Sequence, residues 1–570
     1  MKTYLGVNLA EKRQKLLKSE AAKKSIDEII NYADNALSRQ YPPLTYSDYM
    51  IYKETGSRIE FEQKYFIRRK DCAFLIMALY ITNDEKYIKP LYNLIFAICD
   101  EFSWCVPAHA TLQDNPSAEY VMKKIDLFQA ETARLLCDAF SIFEDMLPYL
   151  VCDRIKYEVR RRVIEPMMKT EQWWFGLKSN WAAVCAGSTA VATMTFGTRE
   201  EKDYIIPILD KCIDNYISGF TDDGCCTEGY SYWNYGFGYF MIYAQLMNEY
   251  SGGKIEYFKD KKVKRIALFP QKVRLGESRV VCFSDCQKDF FVFPGVAGRL
   301  KEVYGDEFAC PDSSLFSIGG TVPSIKEILW FDTEYKSDNV KLTSYFPDSQ
   351  WFIKQGKNYS FAAKGGHNNE EHNHNDVGSF MVVCSDDSIP LTDLGNARYC
   401  QQFFDPSTRY LNINCGSHGH SVPIINGKAQ NFGEEFRATN VICDDNSFTM
   451  DIENAYDKGI INKITRKFEL MEKSIVLTDS FIPSYKTQSI TERFVSETKP
   501  SITEGCVSLN SACIIYDNDR YEVKVSTDSY LPHNRSLSEK DTIDVYLIDF
   551  TPKKKFETEF KFEIKTEWRV

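Results

Sequence analysis

The stretch KGGHNNEEHNHNDVGSF, Lys364 to Phe380, holds three of the chain's seven histidines and sits between two short apolar runs, Tyr359–Ala363 and Gly378–Cys384. His418 and His420 follow, so five of the seven lie between His367 and His420. Read as a strand edge, the stretch points His372 and His374 to one face, because side chains on a strand repeat every two residues. His418 and His420 repeat that spacing. Asp393, in Leu391–Gly395, adds a carboxylate. Two imidazoles and a carboxylate make a sound divalent-metal site, with zinc the first expectation. The plain alternative is a solvated His/Asn loop, and five histidines in so short a span count against it.

Downstream of this block the pattern is one of strands. Ser421–Ile425, Thr465–Glu469, Ser474–Asp479, Tyr521–Val525 and Val545–Thr551 are short, rich in β-formers and bounded by Gly, Asn, Asp and Pro. In Lys553–Lys565 charged residues alternate with Phe, which suits an antiparallel strand with one wet face. Upstream the period changes to that of helices. Phe74, Leu75, Met77, Ala78 and Tyr80, then Leu91, Leu94, Ile95 and Ile98, lie at helical spacing. Ile125–Leu147 and Asn180–Met194 do the same, and breakers such as Pro107, Asn115-Pro116, Gly219 and Gly252-Gly253 separate the blocks. The expected fold is therefore α+β and multidomain. Residues 1–335 form helical hairpins that can close into an (α/α) toroid, and residues 336–570 form an antiparallel β-sandwich domain carrying the metal site.

A length of 570 residues accommodates two or three domains. Net charge is −11, from 69 basic and 80 acidic residues, which argues against a nucleic-acid binder. A polyanionic ligand would need a local basic cleft against that overall field. Aromatic residues make up 14% of the chain, enough for sugar-stacking faces, although most such rings serve cores. No apolar run has the length of a signal peptide or a membrane span. The 18 cysteines form no metal-ligand framework and read as reduced and mostly buried, so a cytoplasmic location is expected. No membrane partner is expected. The oligomeric state is left open, a homodimer being compatible with the sequence.

The block Lys364–Phe380 closely resembles the signature of heparinase II/III-like polysaccharide lyases. Two further blocks agree: Ser179–Cys185 (SNWAAVC) and Glu228–Gly236 (EGYSYWNYG). Trp104, Pro107 and His109 are weaker echoes, as are Asp126–Phe128 with Glu131-Thr132. The resemblance runs from about residue 60 to about 430. It implies a toroid followed by a β-sandwich domain, catalysis at their junction, and cleavage of a uronate-containing glycan of glycosaminoglycan or alginate type. It assigns His374, Asp393 and His420 to a metal, His372 to catalysis, Asn180 to the substrate carboxylate and Tyr235 to acid–base work, with Tyr232 a nearby competitor. Trp181, Glu228, Tyr232, His367, Tyr399 and Tyr410 are candidate substrate contacts. One departure stands out. Some members carry His after the Asn, where this chain has Trp181, and an indole can only donate.

β-Elimination removes the C5 proton of a uronate and expels the oxygen at C4. Donors aimed at the carboxylate must absorb the charge that develops there. Asn180 and His372 can donate. Tyr235 can serve as base and acid if nearby positive charge lowers its pKa, and His372 is the alternative base. Each residue also has a plainer reading. Asn180 could be a helix N-cap, Tyr232 and Tyr235 could be packing aromatics, and Arg68-Arg69-Lys70 a solvated basic face. Three other functions compete: a non-catalytic glycan-binding protein stabilised by its metal, a glycoside hydrolase using Glu228 and Asp223, and a metallohydrolase using zinc-activated water.

Overall fold

The computed structural model describes residues 2–338, 340–533, 542–554 and 557–567. It is helical from Leu9 to Leu329 and built of antiparallel strands from Thr343 to Lys565. It packs as two compact units: Met1–Gly219 with Tyr232–Ala267 and Phe291–Asn339, and Phe220–Ser231 with Leu268–Phe290 and Val340–Val570. Two stretches within the span read as helical domain, 220–231 and 268–290, thus pack with the strands. They carry Glu228 and Asp285.

In the helical unit, α1 (Ile59–Thr82) is buried on nearly every side from Arg68 to Ile81 and stops where Asn83 turns left-handed, at φ 57°. Arg68 and Arg69 are not a solvated face. Both are buried, and both pair with Glu101, at 2.8 and 2.5 Å. α2 (Leu127–Phe143) starts where the Asp126 carboxylate accepts a hydrogen bond from the Gln129 amide at 2.7 Å. α3 (Asn180–Phe196) is N-capped by Ser179 rather than Asn180. α3 meets α4 (Tyr230–Tyr250) through glycines. A Cβ on Gly187 would run into the Tyr239 carbonyl, and one on Gly236 would sit 3.0 Å from the Asn180 Cβ. Without side chains at these two positions the helix backbones come close, and Asn180 lies beside the turn that carries Tyr235.

The β unit has one eight-stranded, two four-stranded and one two-stranded antiparallel sheet among the described residues. In Ile461–Leu470 and Glu559–Lys565 burial alternates along the strand, and Phe560, Phe562 and Ile564 point inward. The wet-faced strand read from Lys553 thus begins at Glu559, and residues 555 and 556 of that reading lie outside the described residues. Tyr359–Lys364 and Phe380–Cys384, the strands that flank the histidine block, are buried throughout and pair with each other. A single aromatic core joins the sheets, with Phe361 against Phe468 at 5.0 Å and Phe494 against Phe562 at 5.1 Å. All 18 cysteines are free thiols, and only Cys152, Cys400 and Cys443 are not buried. Among the described residues no helix is long and apolar enough to cross a membrane.

Candidate active site

The histidine block is a loop rather than a strand. Only His367 and Asn368 pair, in a ribbon with Gly433–Arg437, and His372 then takes a left-handed backbone at φ 55°. His418 belongs to a short 3-10 turn, Ser417–Gly419. Period-two alternation therefore does not bring the histidines together. The loop is gripped from below by Lys364, fully buried between Glu370 at 2.8 Å and Asp376 at 2.7 Å. Burial pushes the Glu370 carboxyl up to about 7, even with Lys364 beside it.

Asp285 joins His372 and His374. Its Oδ2 lies 2.7 Å from His372 Nδ1 and its Oδ1 2.9 Å from His374 Nε2. Arg409 Nη2 reaches both oxygens, at 3.3 and 3.4 Å, and also donates to the Asn373 carbonyl at 2.9 Å. Burial alone would raise the Asp285 pKa, but Arg409 and the two imidazoles hold it well below the carboxylate range. Burial opposes protonation of His372, yet Asp285 and then Glu228, whose carboxylate is 3.7 Å from His372 Nε2, raise its pKa. His372 keeps 17% of its side chain exposed, so it is open to a ligand.

One ligand atom each from His374, Asp393 and His420 lies within a 4.8 Å sphere of mutual distance, and all three residues are buried. His420 Nδ1 contacts Asp393 Oδ2 at 2.9 Å. His374 Nδ1 and His420 Nε2 are buried with no hydrogen-bond partner among the described residues. Two bare ring nitrogens beside a carboxylate held well below its usual pKa are the donor set a divalent cation takes. The residues fit such an ion.

The helical unit has its own cluster. The Tyr239 hydroxyl donates to Glu131, and the Tyr235 ring meets Tyr239 edge-on at 5.6 Å. Burial lifts Glu131 to about 7, against the Tyr239 hydrogen bond and Arg134. Tyr235 is half-buried, and burial followed by the Glu131 charge pushes its pKa well up. The positive charge expected to lower it is not what dominates here. The hydroxyl is therefore held in its protonated form.

No family model matches the chain, and no curated protein matches it in sequence. Solved structures do match it in fold. A heparinase III superposes with a TM-score of 0.60 over 99% of this chain and 93% of its own, at 12% identity. The heparan sulfate lyase HepC from Pedobacter heparinus gives 0.57 over 98% and 93%, at 12% identity. The Streptomyces coelicolor A3 chondroitin AC lyase, solved with chondroitin sulphate, gives 0.57 over 98% and 83%, at 8% identity.

The chain has the heparinase III fold.

That fold, a helical toroid followed by a β-sandwich, is the architecture expected from the sequence. Within it, the helical unit places Asn180 against Gly236, the residue after Tyr235, and Tyr232 lies half-buried one turn before Tyr235. Trp181 packs on Trp173 at 4.6 Å and on His109 at 4.8 Å, and Asp126 holds His109 through Nδ1 at 2.8 Å. In the β unit of the heparinase III fold, His372, His374, Glu228 and Tyr410 share one neighbourhood. The Tyr410 hydroxyl accepts from Asn373 at 3.3 Å, and its ring stacks on Phe432. His367 sits at the loop entrance, and its Nδ1 accepts from the Asn369 amide at 3.2 Å. Tyr399 joins an aromatic group with Phe403, Phe404 and His533.

Sequence reading assigned nothing to Asp285, Arg409 or Cys415, and gave Glu131 only as an echo. Asp285 lies 87 residues before His372, and no local pattern links the two. The one local sign is that Ser284 beside it has φ 61°, a strained backbone that becomes visible only in the fold.

Proposed function

We propose that the chain is a polysaccharide lyase that cleaves a uronate-containing glycan by β-elimination and leaves an unsaturated uronate. The observation that carries this reading is the pairing of a partly exposed, Asp285-held His372 with the buried His374–Asp393–His420 cluster, at the positions named by the sequence resemblance, in a chain of heparinase III fold.

Asn180 donates its amide to the substrate carboxylate and His372 supplies a second donor or a positive charge, and such donors absorb the charge that develops at C5. Tyr235 starts protonated and gives its proton to the departing O4 oxygen. His372 in its neutral form takes the C5 proton, and the electron pair released there forms the C4=C5 double bond as O4 leaves with the Tyr235 proton. Glu228 orients His372 from the side opposite Asp285. Trp181 and Tyr410 offer ring faces to sugars. His374, Asp393 and His420 would hold a divalent cation, zinc by donor chemistry, and its ligand bonds would fix the loop that carries His372. The substrate is an acidic oligosaccharide or polysaccharide of glycosaminoglycan or alginate type. The free, mostly buried thiols support a reducing compartment.

The hydrolase reading loses one of its two carboxylates. Asp223 is spent on its own turn, accepting from Thr221, from the Cys225 amide at 3.0 Å and from the Asp348 amide at 2.9 Å. The deciding experiment incubates the zinc-loaded protein with heparan sulfate, chondroitin sulfate, hyaluronan and alginate, whole and as oligosaccharides, and follows ultraviolet absorbance of the unsaturated uronate. Binding without absorbance change on every member would replace the lyase by a glycan-binding protein.

A further inference from the structure

Asp285 is fully buried and serves three consecutive residues. One oxygen takes His372, the other takes His374, and Arg409, which neutralises it, also holds the Asn373 carbonyl between them. An ionised carboxylate only accepts hydrogen bonds. Each imidazole nitrogen facing it must therefore carry a hydrogen: Nδ1 of His372 and Nε2 of His374. In the neutral ring the other nitrogen is then an acceptor. For His374 that nitrogen is Nδ1, the buried atom of the metal cluster with no hydrogen-bond partner among the described residues. For His372 the other nitrogen is Nε2, which faces the Glu228 carboxylate at 3.7 Å.

We propose that the Asp285–Arg409 pair is a positioning device that sets the tautomers of His372 and His374 together, so that one carboxylate prepares one histidine for a divalent cation and the other for substrate. The part concerning substrate rests on the lyase reading; the part concerning tautomers and the cation does not. Two consequences follow. The sites are coupled, because losing the bond to His374 alters the carboxylate that holds His372. Arg409 is also indispensable to the device, since it keeps the carboxylate an acceptor for both rings.

A competing use of the same atoms is a second cation held by Asp285, His374 and Cys415, whose ligand atoms also lie within 4.8 Å of one another. Arg409 argues against it. A guanidinium 3.3 Å from the carboxylate already supplies the positive charge, and it would repel a dication placed at the same oxygens.

The test uses the full chain with ¹⁵N-labelled histidine, the rings being assigned through His372→Asn and His374→Asn. In wild type without added metal, His372 is expected to carry its hydrogen on Nδ1 and His374 on Nε2, and added zinc should bind at one equivalent and perturb both rings. The opposite tautomer at either ring would overturn the proposal. So would a second zinc equivalent lost in Cys415→Ser. Asp285→Asn offers one acceptor where two N–H groups need one, so at least one ring should change tautomer, with zinc affinity or kcat falling about 10–100-fold and KM nearly unchanged. Both tautomers kept, with zinc affinity and kcat within twofold of wild type, would also overturn it. If that variant does not fold, the wild-type spectra decide alone. Expected tautomers in a protein with no lyase activity would support this inference while removing the lyase reading.

Discussion

Two buried carboxylates, Glu131 in the helical unit and Asp285 in the β unit, are driven in opposite directions. Both are fully buried, and burial raises both. Glu131 has a tyrosine hydroxyl on one oxygen and Arg134 acting at longer range, too little to offset desolvation, so it titrates near 7. Asp285 has a guanidinium and two imidazoles in direct contact, and it stays ionised far below neutrality. The contrast shows that the charge state of a buried acid is decided by its partners rather than by its depth. It also separates two kinds of chemistry. A carboxyl near 7 keeps its tyrosine neighbours protonated and donating, whereas a locked carboxylate orients rings.

Changes that remove a proposed reacting group should have the largest effect. Tyr235→Phe and His372→Asn should each lower kcat by about 10²–10⁴-fold while leaving the melting temperature near wild type, as read from initial rates and calorimetry on a substrate found in the glycan panel. A loss confined to KM would place the residue in binding and erase its part in the contrast.

Next in size is the compensation of Asp285. Arg409→Met leaves a buried carboxylate without its guanidinium, and denaturant melts should show a loss of about 3–5 kcal/mol. A variant as stable as wild type would mean that the imidazoles alone hold Asp285.

Glu131 makes a smaller, pH-dependent contribution. Its folded pKa of about 7 lies above the ordinary glutamate value. The stabilisation it lends is therefore complete below that ordinary value and is lost as pH rises through 7. Urea melts of Glu131→Gln and wild type should diverge in favour of the variant by roughly 2–3 kcal/mol between pH 5 and 8. Curves that stay parallel would put Glu131 with Asp285 rather than opposite it.

The smallest effect is expected from Tyr239→Phe, which deletes one hydrogen bond to Glu131. It should cost about 1–2 kcal/mol and move the pH midpoint of the Glu131 effect upward, because that bond lowers its pKa. A downward shift would reverse the sign assigned to Tyr239.

Much of the site was legible because its chemistry is concentrated in short stretches. His372, His374 and His420 are rare residues crowded together, and the cluster of His374 and His420 with Asp393 is present in the fold. Of the two readings of that stretch, loop or strand edge, the loop is the one found. The loop turns at His372, and a carboxylate rather than strand periodicity draws the two rings to one point. Asn180 and Tyr235 were named by resemblance, and the closeness of their helices could have been suspected from Gly187 and Gly236. The lowered pKa that Tyr235 would need as a base is not found, because burial and then Glu131, about a hundred residues earlier, raise it.

Taken alone, the residue order determined the helical and strand halves and the identity of the metal-type donors, since periodicity and ligand chemistry are properties of neighbouring residues. Only the tertiary structure decided that Asp285 serves two histidines, that Arg409 keeps it charged, that Glu131 sits near neutrality, and that stretches 220–231 and 268–290 belong with the strands. The physical reason is that electrostatic and solvation energies depend on distance in space and on exclusion of water, and neither is written in the spacing of residues along a chain.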